Sequence, residues 1–177
     1  MLAYPASAKP IDYSNRDINI QPKLDGVRCV IQYERKVQPR EDVVVAYSRT
    51  SKEWKNIQHI LAELKPFFQK HPSVILDGEL YNHDLKNDFE KIISLVRKTK
   101  PTEADRKESE LMVQFHCYDT IMEHMPFDER DRFIKENLPE SYCINHVDTV
   151  SIFSENQAKL GHKINLDDGY EGSIVRT

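Results

Sequence analysis

Several features that would place this chain in a specialised class are scarce or absent in its sequence. Only three cysteines occur in 177 residues, and no two of them form a C-x-x-C pair. An odd, scattered set of cysteines predicts buried free thiols in a reducing compartment, not a disulfide scaffold. The seven histidines form neither an H-x-x-x-H motif nor a cluster with cysteine, which argues against a structural zinc site.

Long apolar runs and an excess of positive charge are also lacking. No stretch approaches the roughly 20 apolar residues that a transmembrane helix needs, and no secretory signal pattern is present. We therefore predict a soluble intracellular protein with no membrane partner, in the cytoplasm or with DNA in a nucleoid or nucleus, and in the host cell if its source is viral. The net charge of -4 argues against a protein that coats nucleic acid through its overall charge. Local basic faces remain candidates at Arg35, Lys36 and Arg40, at Lys52 and Lys55, and at Arg97, Lys98 and Lys100.

The composition is sufficient for one hydrophobic core. With 177 residues, 39% of them hydrophobic, the chain can form one domain with a sizeable core but is too short for two domains of ordinary size. Strand patterns outnumber helix patterns, and several strands follow one another closely. The sequence therefore predicts an α+β domain with largely antiparallel sheets and helices packed outside them.

Two Asp-Gly pairs predict two β-hairpins. Apolar strands at residues 18–21 and 28–33 flank Asp25-Gly26, and strands at 74–76 and 79–81 flank Asp77-Gly78. Because strand side chains alternate, Lys23 and Asp25 are expected on one face of the first hairpin.

The remaining elements follow from apolar periodicity and from turn and capping residues. We predict a surface arm at 1–16, strands at 43–47, 111–118, 144–153 and 172–176, helices at 54–68, 89–96 and 127–138, a helix that begins after Ser154, a mobile charged loop at 99–109 and a loop at 163–170.

Five short motifs occur in a fixed order along the chain. They are Lys23-x-Asp25-Gly26-x-Arg28, Ser48-Arg49, Asp77-Gly78-Glu79-Leu80, Phe115-His116-Cys117-Tyr118-Asp119 and Glu171-Gly172-x-x-x-Arg176. Each motif is weak alone, but their order and spacing resemble the ATP-dependent DNA ligases. More broadly, they are similar to the covalent nucleotidyltransferases, which include RNA ligases and mRNA capping enzymes. The resemblance covers about residues 18–177 and implies the nucleotidyltransferase (ATP-grasp-like) fold.

The resemblance also implies a reaction. Lys23 matches the lysine that attacks the α-phosphate of ATP, carries AMP on its amine and passes it to the 5′-phosphate of nicked double-stranded DNA, in replication, repair or recombination. An amine attacks only in its unprotonated form. Asp25 and Glu171 match metal-binding carboxylates, and Mg²⁺ prefers such oxygen ligands.

Further residues match nucleotide contacts. By resemblance, Glu79 accepts a hydrogen bond from the ribose, and Tyr118 stacks on adenine. Arg28 and Arg49 match contacts to ribose or phosphate, for which the guanidinium fork is suited. Gln21 is placed to read the adenine edge, because its amide both donates and accepts. The full nucleotide-binding set is Gln21, Lys23, Arg28, Arg49, Glu79, Tyr118 and Glu171.

The sequence stops before two features of complete ligases, a K-x-K motif and an OB-fold domain. We therefore expect residues 1–177 to be an adenylation domain truncated after the E-G motif, with slow or absent self-adenylation by the chain alone. An OB-fold segment supplied elsewhere is an expected partner.

Three alternatives remain open: an mRNA-capping guanylyltransferase that uses GTP, an RNA ligase, and a non-catalytic ligase-derived module that binds nucleotide or DNA. The Leu-Asp-Gly-Glu-Leu-Tyr context and Gln21 favour a DNA ligase. Intact Lys23 and Glu171 oppose the non-catalytic module.

Overall fold

The structure, a computed structural model, describes residues 10–14, 18–36 and 41–177. Its residues form two compact units, which are treated separately below: unit 1 (Met1–Leu24 and Asp148–Thr177) and unit 2 (Asp25–Val147). Most of the predicted arm at 1–16 lies outside the described residues.

The described residues form eight strands, five α-helices and one turn of 3-10 helix at His83–Leu85. The strands are β1 (Asn19–Lys23), β2 (Val27–Lys36), β3 (Glu41–Tyr47), β4 (Ile75–Tyr81), β5 (Gln114–Ile121), β6 (Ile144–His146), β7 (Val150–Ser151) and β8 (Gly172–Arg176). The helices are α1 (Gln58–Lys70), α2 (Phe89–Val96), α3 (Glu103–Met112), α4 (Phe127–Asn137) and α5 (Glu155–Asp167).

Unit 2 is built on a five-stranded sheet in the order β3-β2-β4-β5-β6. Its strand pairs are antiparallel except for β5 and β6, which are parallel. The core contains apolar side chains of the strands, such as Leu76 and Phe115, together with helix residues such as Leu64 and Phe68 of α1. The predicted α+β class with largely antiparallel sheets is confirmed.

Unit 1 is a three-stranded antiparallel sheet in the order β7-β1-β8 with α5 packed on it. Ile18, Ile20, Ile152 and Ala158 form its small core. The helix starts where the sequence predicts, because the Ser154 side chain accepts a hydrogen bond from the backbone of Gln157. The predicted loop at 163–170 is wrong over its first part, which is helical as far as Asp167.

The first predicted hairpin is wrong. Strands form on both sides of Asp25-Gly26, but β1 pairs with β7 and β8, whereas β2 pairs with β3 and β4. Neither Asp25 nor Gly26 has the positive φ angle that a type I′ turn requires. Gly26 is instead needed for close approach, because a Cβ atom there would lie 2.6 Å from the carbonyl oxygen of Leu80. Since β1 ends at Lys23, strand alternation does not place Lys23 and Asp25 on one face.

The second predicted hairpin is also wrong, because Asp77 and Gly78 lie inside the continuous strand β4. This strand lies between β2 and β5, and the register with β5 shifts between Asp77 and Gly78. A Cβ atom on Gly78 would lie 2.4 Å from the carbonyl oxygen of His116 and 2.5 Å from the Phe115 ring. The glycine therefore marks a crowded bulge, not a turn.

We expect Gly78→Ala to lower the free energy of unfolding by about 1 to 3 kcal/mol, because the added methyl group overpacks the sheet. Gly161→Ala is the control, since its Cβ would meet only the Ile20 side chain, at 3.2 Å, and alanine favours a helix. Urea unfolding followed by circular dichroism measures both. Equal stability of the two variants would contradict the crowding at Gly78.

Two further predictions are corrected. The charged stretch 99–109 is not a mobile loop, since most of it belongs to α3, whose start is stabilised by a capping box between Thr102 and Asp105. The predicted strand 144–153 is two short strands in different sheets, β6 and β7. The helix predicted at 54–68 forms, but it begins at Gln58 after buried Trp54 and Ile57. The predicted helix 89–96 and strand 172–176 are confirmed with the same ends, and the elements predicted at 43–47, 111–118 and 127–138 are confirmed with shifted ends.

Candidate functional site

In unit 1, Lys23 and Glu171 are neighbours although 148 residues separate them in sequence. Lys23 lies at the end of β1, opposite Gly172 at the start of β8. Its Nζ atom donates a hydrogen bond to Oε2 of Glu171, and the Glu171 backbone donates to the Lys23 carbonyl oxygen at 3.1 Å. The side chains are 41% and 49% exposed, so both remain accessible to a ligand. An ion pair this exposed contributes little to stability.

Gln21 precedes Lys23 by two residues and therefore lies on the same face of β1. Its side chain is buried, with Nε2 donating to Thr149 Oγ1 at 2.9 Å and Oε1 accepting from Arg176 Nε at 3.1 Å. These contacts hold the amide in one orientation. Its role in reading adenine stays a prediction.

In unit 2, Arg28, Asp77 and Tyr118 form a hydrogen-bonded group. The Arg28 fork donates to both Asp77 oxygens, at 2.9 and 2.7 Å, and the Tyr118 hydroxyl donates to Asp77 Oδ1 at 3.1 Å. The hydrogen bond to Asp77 raises the pKa of Arg28, so the guanidinium stays charged. Burial, together with the charges of Asp77 and Glu79, raises the pKa of Tyr118, so its hydroxyl stays neutral and available as a donor.

The strand register shows why these side chains meet. Arg28 on β2 lies opposite Glu79 on β4, and Glu79 lies opposite His116 on β5, so all three share one face of the sheet. Asp77 belongs to the same face, two residues before Glu79. Tyr118 is the extra residue of the β5 bulge, between the partners of Gly78 and Asp77, and the bulge directs its hydroxyl to Asp77.

The opposite face of this sheet is apolar. Cys29, Leu76, Leu80 and Phe115 point into the core of unit 2. Because strand side chains alternate, the same three strands, β2, β4 and β5, supply both the core and a polar face. We refer to Arg28, Asp77, Glu79, His116 and Tyr118 as the polar face.

Asp77 and His116 were not predicted as site residues. Asp77 could have been found from its spacing, because it lies two residues before Glu79 on one strand. His116 lies beside the Tyr81 ring, with 5.3 Å between ring centroids, and hydrogen-bonds the side chain of Gln114. Burial, and then repulsion by His83, lower the pKa of His116 to about 4, so its ring is neutral near pH 7.

Two predicted residues are exposed. Arg49 lies in a turn after β3 that is closed by a 2.8 Å hydrogen bond from the Ser48 backbone to the Lys52 carbonyl oxygen. Asp25 lies in the segment between β1 and β2. The structure thus brings together Lys23 and Glu171 within unit 1. Within unit 2 the structure brings together Arg28, Glu79 and Tyr118 on the polar face.

No group of three or more histidine, cysteine or acidic side chains that could hold a metal ion occurs among the described residues. Mg²⁺ does not require such a group, because it is commonly held by one or two carboxylates, with phosphates and waters as its other ligands. None of the helices in the described part of the chain is both long and apolar enough to cross a membrane.

Comparison with known proteins shows that the chain is similar to ATP-dependent DNA ligases. A family model described as "ATP dependent DNA ligase domain" matches residues 1–177. A DNA ligase of African swine fever virus (isolate Tick/South Africa/Pretoriuskop Pr4/1996) is 30% identical over 164 residues, which cover 89% of this chain and 36% of that protein. The chain therefore spans little more than a third of the length of this curated relative.

Solved structures show the same fold. The structure named Pmar-Lig_Pre superposes with a TM-score of 0.73 at 18% identity, covering 99% of this chain and 41% of that one. A crystal structure of Chlorella virus DNA ligase-adenylate has a TM-score of 0.62 at 17% identity, covering 94% of this chain and 56% of that one. The fold expected from the sequence motifs is confirmed.

Proposed function

Because the chain belongs to the family of ATP dependent DNA ligase domains, we propose that it is an adenylation domain that forms lysyl-AMP from ATP and transfers AMP to the 5′-phosphate of nicked DNA for sealing. The observation that carries the proposal is the contact between Lys23 Nζ and the Glu171 carboxylate at the end of two paired strands. It supplies a nucleophile and a proton acceptor in one accessible place. The proposal places the protein inside cells, where ATP and DNA occur.

Lys23 is the proposed nucleophile. Its nitrogen lone pair forms a bond to the α-phosphorus of ATP, while the bond from that phosphorus to the bridging oxygen breaks and pyrophosphate leaves. The lysine ammonium must lose one proton before this attack and a second as the P–N bond forms, and Glu171, which accepts a hydrogen bond from Nζ, is the proposed proton acceptor.

AMP then moves to DNA and leaves it again. A 5′-phosphate oxygen of the nick attacks the AMP phosphorus, the P–N bond breaks and the lysine nitrogen regains a proton. The 3′-hydroxyl next attacks the activated 5′-phosphate, which closes the backbone and releases AMP.

The polar face is proposed to bind the nucleoside. Glu79 accepts from the ribose hydroxyls, and the Tyr118 ring stacks on adenine. Arg28 uses two of its five N–H groups on Asp77, and we propose that a further N–H group contacts ribose or phosphate. Arg49 and Gln21 are proposed to contact phosphate and the adenine edge respectively.

Mg²⁺ is the proposed metal, with Asp25 and Glu171 as its carboxylate ligands. Carboxylate oxygens fit Mg²⁺, which is usually held by one or two carboxylates and takes water molecules and substrate phosphate oxygens as its other ligands. When bound, the ion supplies positive charge against the negative phosphates. An OB-fold segment stays a proposed partner of residues 1–177.

Nucleotide binding tests the adenine assignment. Tyr118→Ala is expected to weaken ATP binding by about 1 to 3 kcal/mol through the loss of stacking. Tyr118→Phe keeps the ring and loses the hydroxyl that hydrogen-bonds Asp77, so it is expected to bind ATP more tightly than Tyr118→Ala. Isothermal titration with ATP and with GTP measures both effects.

The same titrations separate the alternatives. Equal affinity of the unmodified chain for ATP and GTP would refute the adenine assignment and favour a capping guanylyltransferase. Transfer of AMP to nicked RNA but not to nicked DNA would favour an RNA ligase. ATP binding with no covalent adduct at Lys23, even when a C-terminal segment with the K-x-K motif and the OB-fold is supplied, would favour a non-catalytic module.

A further inference from the structure

A second feature of unit 2 is a group of exposed cations where three segments of the chain meet. Asn56, just before α1, is buried, and its Nδ2 atom donates to the carbonyl oxygens of Leu95 in α2 and Asp105 in α3, at 3.0 and 3.2 Å. The Ser109 hydroxyl of α3 donates back to the Asn56 carbonyl oxygen. Four exposed cations lie within five positions of these bonded residues in sequence and form what we call the basic cluster: Lys55, Arg97, Lys100 and Arg106.

The charges around the basic cluster are unbalanced. Three of the four acidic side chains of α3 are already paired, Asp105 with Lys98, Glu103 with Lys107 and Glu108 with Lys91, and the fourth is Glu110. Among the described residues, no ion pair involves any of the four cations of the cluster. A chain with a net charge of -4 thus carries a local surface on which cations outnumber unpaired carboxylates.

The backbone beneath the cluster is held in place. The hydrogen bonds of Asn56 link α2 and α3, and the capping box of Thr102 and Asp105 stabilises the start of α3 between Lys100 and Arg106. Cations held on such a surface suit a ligand with repeated negative charges.

We infer that the basic cluster binds the phosphate backbone of duplex DNA. The choice of DNA as the polyanion rests on the proposed function, whereas the cluster itself follows from the contacts above. Contacts of this kind orient a duplex without reading its bases. Binding at the cluster therefore depends on salt and not on base sequence.

A matched pair of variants tests this inference. The test variant carries Arg97→Gln, Lys100→Gln and Arg106→Gln. The control variant carries Lys65→Gln, Lys70→Gln and Arg132→Gln, which are exposed and make no ion pair among the residues the structure describes. Lys70 lies about 20 Å from Asn56 at a helical rise of about 1.5 Å per residue. Both variants lose three positive charges.

Fluorescence anisotropy of a labelled nicked duplex at several salt concentrations gives the binding constant. For the test variant, the slope of log K against log salt concentration is expected to be shallower by about 2 to 3, because each phosphate contact contributes about 0.9. The control variant is expected to keep the slope of the unmodified chain. If circular dichroism shows the triple variant unfolded, Lys100→Gln alone is compared with Lys70→Gln, with an expected difference of about 1 in slope.

Covalent labelling of Lys23 by ATP is measured on the same preparations, which separates the two proposals. Equal slopes in test and control variants would overturn the cluster inference, as would a chain that binds no duplex even at low salt. Cluster-dependent binding of anionic phospholipid vesicles, with unchanged DNA binding, would also overturn it. Cluster-dependent DNA binding without a Lys23 adduct, even when a C-terminal segment with the K-x-K motif and the OB-fold is added, would support the inference while contradicting the proposed function.

Discussion

Lys23→Ala is expected to form no covalent AMP adduct when it is incubated with ATP, Mg²⁺ and a C-terminal segment that supplies the K-x-K motif and the OB-fold, however long the reaction continues. The substitution removes the proposed nucleophile, and a methyl group cannot form the P–N bond. It costs little stability, because the lost ion pair with Glu171 is about half exposed. Mass spectrometry of the intact protein detects the added AMP, and peptide mapping locates it.

Two control variants test whether the loss of the adduct is specific to the Lys23 amine. Lys23→Arg keeps a positive charge that can pair with Glu171, but a guanidinium stays protonated and is a poor nucleophile, so it too should remain unlabelled. Lys159→Ala removes another exposed lysine of unit 1, one paired with Glu155 at 2.7 Å, and should label like the unmodified chain. An adduct on Lys23→Ala, or an adduct mapped to another residue, would refute the assignment of Lys23.

Asp77→Ala is expected to lower the free energy of unfolding by about 2 to 4 kcal/mol and to weaken ATP binding. It leaves the largely buried Arg28 guanidinium without a counter-charge and the Tyr118 hydroxyl without its acceptor. The estimate is below the range for fully buried pairs because the Arg28 side chain is 24% exposed. Urea unfolding measures the first effect and calorimetric titration the second.

Asp119→Ala is the matched control for Asp77→Ala. Asp119 lies on β5, and both of its oxygens accept from the Arg130 fork, at 2.7 and 3.1 Å, with burial similar to that of Asp77. Its loss should destabilise unit 2 to a similar degree and leave ATP affinity unchanged. If both variants lost ATP affinity equally, orientation of Arg28 and Tyr118 by Asp77 would not explain the effect.

The sequence alone determined the family and most of the element types. The order of five motifs indicated a nucleotidyltransferase and singled out Lys23. A catalytic reaction requires particular residue types at particular spacings, and these can be recognised in the sequence without knowledge of the fold. Apolar periodicity predicted helices such as α2 and α4, because a helix that buries one side must repeat apolar residues near every 3.6 positions. These signals depend on residues that are close together in sequence, so they can be recognised in one sequence without an alignment or a structure.

Only the tertiary structure decided which strands pair and which site residues meet. Gly26 and Gly78 look like turn residues in sequence, but each is a glycine because a distant backbone oxygen, that of Leu80 or His116, approaches too closely for a Cβ atom. Tyr118 reaches Asp77 through a bulge that depends on register with another strand. Lys23 meets Glu171 only because β1 pairs with β8. Such contacts join residues tens to hundreds of positions apart, and short-range sequence patterns carry no information about them.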